Sequence, residues 1–245
     1  MTRLATVALA LLACAAIAAP HHMLVVARKN AVAAPIALLV STITRDPAGP
    51  LSAITAPIDT TGADLLVVAV SSYTAQAAPT TSDSQTNTWQ ALTAYDNTAS
   101  SGIVRVQFFY DATPSTSTSH TFSATHANNA YPTIAVMAFS NTGATPFDTE
   151  SGAGNNGPLT IQPGSVTPAA GNSVLLSAIS NNGNGGTFSI SGGLAELHDL
   201  GAVSGQGVAL AVAYEIQTTA TARNPTWTAS HNTGGLVANI AVFSQ

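Results

Sequence analysis

Charged side chains are scarce: Asp, Glu, Lys and Arg make up 7% of the 245 residues, against about 25% in an ordinary soluble domain. A coiled coil, which needs Glu, Lys and Arg in bulk, is excluded. Disorder driven by charge is excluded too, because 46% of the residues are hydrophobic and able to fill a core. From Pro35 onward, only Arg45, Arg105 and Arg223 stand against all eleven acidic residues. A phosphate backbone would meet no cluster of cations, so nucleic acid is excluded as a partner. Cysteine occurs once, as Cys14, and a chain with a single thiol forms no internal disulfide.

Residues Met1 to Pro20, MTRLATVALALLACAAIAAP, hold one arginine followed by seventeen uncharged, mostly apolar residues. That layout is a secretory signal peptide, with Ala16-Ile17-Ala18 as the cleavage site, and the stretch is too short for a membrane span. Cleavage after Ala18 discards Cys14. One alternative reads Leu11-Leu12-Ala13-Cys14 as a lipobox, in which Cys14 carries a lipid anchor, although Leu12 replaces the small residue usual there. Another places the true start at Met23. The expected divisions are a signal peptide at 1–18, a linker at 19–34, a first β repeat with a leading strand at 35–140, a connector at 141–165 and a second β repeat at 166–245.

Beyond Ala34 no apolar spacing of three and four persists. Short runs of Val, Ile, Phe, Thr and Tyr recur between clusters of Gly, Asn, Ser and Pro, which predicts an all-β chain. Strands are expected at Ile36–Thr44, Leu65–Ser72, Thr88–Tyr95, Ile103–Tyr110, His120–Thr125 and Thr133–Phe139. A second set is expected at Leu159–Ile161, Val174–Ile179, Thr187–Ile190, Ala195–His198, Val208–Ile216, Thr226–Ser230 and Val237–Phe243. LLVVAV and VALAVAY are apolar on both faces, as central covered strands should be.

The two sets read as one unit written twice. GADLLVVAVS matches GNSVLLSAIS, VRVQFFYD matches VALAVAYE, HTFSATH matches PTWTASH and MAFS matches AVFS, at offsets of 109, 104, 105 and 104 residues. The expectation is two homologous five-strand repeats forming a two-layer antiparallel β-sandwich, jelly-roll-like. Leu65 should then correspond to Val174, Tyr110 to Tyr214, Phe122 to Trp227 and Phe139 to Phe243, with Phe122, Trp227, Phe139 and Phe243 buried.

These same residues carry a resemblance. DTTGADLLVVAVSSY, DSQTNTW, VRVQFFYDATPSTSTSHTFSAT, TPFDTESGA and the closing IAVFS resemble a duplicated β-sandwich module found in large secreted or surface proteins of bacteria and in bacteriophage structural proteins, over about Ile36 to Gln245. The resemblance implies the fold and brings no catalytic residue set. Its D-S-x-G-N-T-W turn has Gly where this chain has Thr86, which leaves the left-handed turn position open.

Residues that bear chemistry each have a plainer reading. Gly152-Ala153-Gly154-Asn155-Asn156-Gly157 is a literal G-x-G-x-x-G, but Pro158 and a short strand follow where a dinucleotide fold needs a helix. A flexible, exposed connector without regular structure is expected. Asp111 and Glu215 are repeat equivalents and would make a glycosidase pair only if they met. Glu196 and Asp199 flank His198 with no nucleophile beside them. His126 and His231 end matched strands, and extended geometry points the neighbouring hydroxyls of Thr125 and Ser230 to the opposite face. Asp83, Ser84, Gln85 and Asn87 offer oxygens to calcium, or form an Asx-type turn. Trp89 and Tyr131 are the candidate sugar contacts, by ring stacking.

No cofactor or metal is implied. The expected function is that of a non-enzymatic exported β-sandwich with a structural or adhesive role at the cell surface, its partners surface glycans or further copies of itself. The alternatives are a lectin-like carbohydrate-binding protein and a bacteriophage virion protein, from a head decoration or a tail fibre.

Overall fold

A computed structural model describes residues 33–45, 51–73, 78–97, 103–126, 130–183, 185–204, 207–231 and 234–245. The signal peptide 1–18, with Cys14, and most of the linker 19–34 lie outside the described residues. The first half contains β1 (Ala37–Arg45), β2 (Ser52–Ile54), β3 (Leu65–Tyr73), β4 (Thr80–Asp83), β5 (Gln90–Ala91), β6 (Tyr95–Asp96), β7 (Val104–Asp111), β8 (Phe122–Thr125) and β9 (Thr133–Ser140). The second contains β10 (Phe147–Gly154), β11 (Thr160–Ile161), β12 (Ser173–Ser180), β13 (Phe188–Ser191), β14 (Ala195–Leu200), β15 (Leu210–Gln217), β16 (Thr226–Ala229) and β17 (Val237–Ser244). All named pairings are antiparallel.

Each half is a two-layer sandwich. In the first, a large sheet ordered β1-β9-β3-β7-β5, with β6 also on β7, faces a small sheet ordered β2-β8-β4. In the second, the large sheet is β10-β17-β12-β15-β14 and the small one β11-β16-β13. The orders match element by element. So do the registers: Leu65 pairs with Phe139 as Val174 pairs with Phe243, and Tyr110 opposes Val67 as Tyr214 opposes Leu176.

The large sheets pack against each other and the small ones lie outside, giving four layers. Alternation along each strand therefore feeds two cores. Leu65, Val67 and Ala69 share an inner core with Val174, Leu176 and Ala178, while Leu66, Val68 and Val70 pack with Phe122 and Ala124 in the outer core of the first half. In the second half, Ile179, Ala211 and Ala238 pack with Trp227 and Phe188. This explains why β3 and β12 are apolar on both faces. A one-residue slip would interchange the two faces of a strand, which fixes the register. Phe122, Trp227, Phe139 and Phe243 are all buried.

The edges of the large sheets also meet across the inner core. His198 Nε2 on β14 lies 2.9 Å from Ser41 Oγ on β1, and Glu150 Oε1 on β10 accepts from Thr93 N and Oγ1 at 3.0 and 2.7 Å. Thr133 Oγ1 donates to the Val208 carbonyl at 2.6 Å.

Four expectations change. The Gly152 motif is not an irregular connector through its length, because Gly152–Gly154 closes β10, which pairs with β17 and is half-buried. A Cβ on Gly152 would strike the Tyr95 ring, and one on Gly154 the backbone of Asp96 and Asn97, so the glycines serve close packing. The expected strand Thr88–Tyr95 is two short pieces, β5 and β6. Strands β2 and β4 were not expected, and each half holds more than five strands. The second half, like the first, has a leading strand, β10.

Candidate functional site: an open polar groove beside Asp111

The two residues proposed from sequence as sugar contacts are far apart. Trp89 is half-buried, its Nε1 donates to Asp83 Oδ2 at 2.9 Å, and its ring meets Phe122 edge-on at 6.1 Å. Tyr131 is half-buried, with φ 49°, and stands edge-on to Tyr73 at 6.0 Å. Trp89 lies near the Leu66 end of β3, where β7 terminates at Asp111; Tyr131 lies by Tyr73 at the other end. They form no common site.

The calcium reading of residues 83–87 gives way to an Asx turn. Asp83 Oδ1 accepts from Gln85 N at 2.7 Å, and Asn87 N lies 3.4 Å from it. Behind the turn is a network that the sequence did not announce. His120 is fully buried, with Nε2 3.2 Å from Asp83 Oδ1, Nδ1 2.9 Å from Thr60 Oγ1, and its ring stacked on Phe122 at 4.1 Å. Acid, imidazole and hydroxyl follow in series, but Thr60 is buried and also bonds the Ser117 backbone, so no substrate reaches it. Among the described residues, no group of three or more His, Cys, Asp or Glu could hold a metal ion.

Asp111 and Glu215 do not meet. Tyr110 and Tyr214 belong to the inner layer, so the residue after each points outward, on opposite sides of the molecule. His126 N donates to the Leu51 carbonyl. At the matched place, Ser230 Oγ lies 3.2 Å from His231 Nδ1, contrary to the extended-strand argument. The reason is that β16 ends at Ala229, so alternation no longer separates the two side chains. Ser230 also receives the Thr187 N–H at 2.8 Å, and among the described residues no acid is paired with the exposed imidazole.

What the structure does build is a groove. Three open depressions of about 480, 360 and 170 Å³ adjoin one another, all sharing Ala112 and Ala144. One wall is the turn 86–90 and the other is the start of the β7–β8 loop, with the segment from Thr142 to Phe147 closing the end. The walls are tied by residues beneath them. Asp111 accepts from Thr88 N at 3.0 Å and Thr113 N at 2.9 Å, and Asn87 exchanges bonds with the Ser115 backbone at 3.0 and 2.7 Å. Thr86, on the lip, has φ 58°. The left-handed position is therefore kept without glycine, at a steric cost to a β-branched residue.

The narrow end has an aromatic floor. Tyr110 stacks on Phe147 at 5.9 Å and 24°, and its hydroxyl donates to Gln90 Oε1 at 2.8 Å. Burial holds the Tyr110 hydroxyl above the ordinary phenol range, which keeps it a donor. At the matched place in the second half, Glu215 instead grips Arg223 through two bonds of 2.7 and 2.6 Å. The guanidinium lies over Gly193, where a Cβ would come within 2.6 Å of Arg223 Nε. One end is thus open and its counterpart filled.

Compared with protein-family models, curated proteins and solved structures, the chain matches none.

Proposed function

We propose that this chain is a non-enzymatic exported β-sandwich protein with a structural or adhesive role at the cell surface, and that its two halves descend from one duplicated unit. The matching strand orders and registers support the duplication. The observation that carries the functional reading is the chemistry of the outward faces. The small sheets expose Ser82 and Thr125, beside Ile54, in the first half, and Ser189 and Thr228 in the second. Neutral hydroxyls bind water and polar partners without electrostatic steering. The four-layer body behind them suits a rigid spacer or adhesive unit.

The test is expression of the full chain in a bacterial host, followed by mass spectrometry and antibody labelling of intact cells. The expected result is a chain cut after Ala18, or retained on the membrane through Cys14, and labelled on intact cells. Intact Met1 on a protein found only inside the cell overturns the reading. Release by Cys14→Ala separates the anchored form from the secreted one.

A further inference from the structure

We propose that the groove beside Asp111 is a binding site for a neutral oligosaccharide, with the half-exposed Phe147, backed by the buried Tyr110, against a sugar ring and Gln90, Thr88 and Thr113 bonding its hydroxyls. The inference rests on the adhesive reading and gives that reading a contact site.

Preorganisation is the first support. The two walls are held by Asp111 and by the Asn87–Ser115 exchange, bonds made within the protein, so a ligand meets a groove already formed and little ordering cost remains. Ligand chemistry follows from the lining. Among the described residues, no Lys or Arg borders the three depressions, and the acids there, Asp64 and Asp111, each accept backbone N–H groups. Carboxylates without cations repel an anion. The exposed groups are hydroxyls and a carboxamide. The Tyr110 hydroxyl occupies Gln90 Oε1, which leaves the Gln90 amide N–H groups to donate to a ligand oxygen.

Aromatic carbon beside a carboxamide suits a sugar, which is apolar on its ring face and polar at its edge. Three adjoining depressions give room for more than one ring. The second half supplies an internal contrast. Its counterpart of Asp111 is covered by Arg223, so the opening is a property of this end and not an automatic product of the fold.

The test is binding of the full chain to an array bearing neutral hexose and N-acetylhexosamine oligosaccharides beside uronic-acid and sialylated ones. Gln90→Ala and Thr113→Arg are compared with Thr187→Arg, an exposed position in the second half away from the groove, and melting curves confirm that each variant folds. Retention on at least one neutral oligosaccharide is expected. It should weaken about tenfold with Gln90→Ala, the size of one well-placed hydrogen bond. Thr113→Arg, which puts a guanidinium into the groove, should abolish it, and Thr187→Arg should leave it unchanged. Retention on acidic glycans alone, retention on none, or binding that survives Thr113→Arg overturns the site. If the array is blank and the protein still labels intact cells, the site falls and the surface role stands. Glycan binding by a chain that stays inside the cell has the opposite meaning.

Discussion

The two halves of the molecule share a strand order and differ in what fills them. Under its small sheet, the second half is apolar: Trp227, Phe188 and Ile161 fill the space beside Ile190, and the indole N–H finds Ser177 Oγ at 2.9 Å. The first half places Asp83 opposite Phe122, where the second places Ile190 opposite Trp227. Around that acid it gathers His120, Thr60 and Trp89. The inner core diverges less: it is apolar from both sides along most of its length, with buried Asn239 in the second half where the first has Ala135. A layer shared by both sheets has to be right for both at once. An outer core answers to one half alone and is free to become a polar network on one side and a packed indole on the other.

The comparison can be broken at several points. The largest effect is expected at Trp227, where truncation to Ala should cost about 3–5 kcal/mol in urea unfolding, as for other large-to-small core changes. A loss below about 1 kcal/mol would mean that the outer core collapses around the gap or contributes little. Next comes Asp83→Asn, expected to cost about 1–3 kcal/mol because it weakens the buried acceptor of Gln85 N and Trp89 Nε1 beside His120. A cycle with His120→Phe should show coupling of about 1–3 kcal/mol. Additive single effects would reduce the network to two independent side chains.

A smaller effect concerns pH at the meeting of the sheet edges. Burial holds the His198 imidazole below the ordinary histidine range. The folded chain therefore prefers the neutral ring, so this contribution is whole above about pH 6.5 and is lost as pH falls through that value. Burial raises Glu196 and Asp199, and these two work in the other sense, restoring stability as pH falls further into the carboxylate range. The urea midpoint should drop as pH falls below about 6.5 and then level or recover in the carboxylate range. His198→Gln should remove the first limb. A drop that survives it places the titration elsewhere.

The smallest expected change is a gain. Thr86→Gly should stabilise the fold by about 0.5–1 kcal/mol, because glycine adopts φ 58° without the clash that threonine suffers. A loss would show that the threonine side chain contributes more than its strain costs.

How much was legible in the sequence follows from where each element gets its stability. Strands β3, β7, β9, β12, β15 and β17 are buried along most of their length, so Val, Leu, Ile and Phe had to be written there. Strand β10 was hidden because its positions demand smallness: Gly152 lies under the Tyr95 ring, and only the folded neighbour explains the glycine. Strands β2 and β4 are short, and among their outward residues Ser52, Thr80 and Ser82 are of the kinds that mark loops, Ile54 being the exception. At the site, repeat equivalence did single out Asp111, and turn chemistry did single out Asn87. Gln90 and Thr113 gave no signal, since an exposed glutamine or threonine is common and only the apposition of the 86–90 turn with the next loop gives them a role. His120 had one trace, a histidine where the second repeat has Pro225, but its partner Asp83 lies 37 positions away.

The central claim is that the two halves are one body built on a shared inner core. The measurement that tests it most directly is scanning calorimetry of the full chain, comparing the calorimetric with the van't Hoff enthalpy. A single transition with a ratio of about 1 is the result expected of sheets that share one core. Two transitions, or a ratio of about 2, would show that each half unfolds alone and would contradict it.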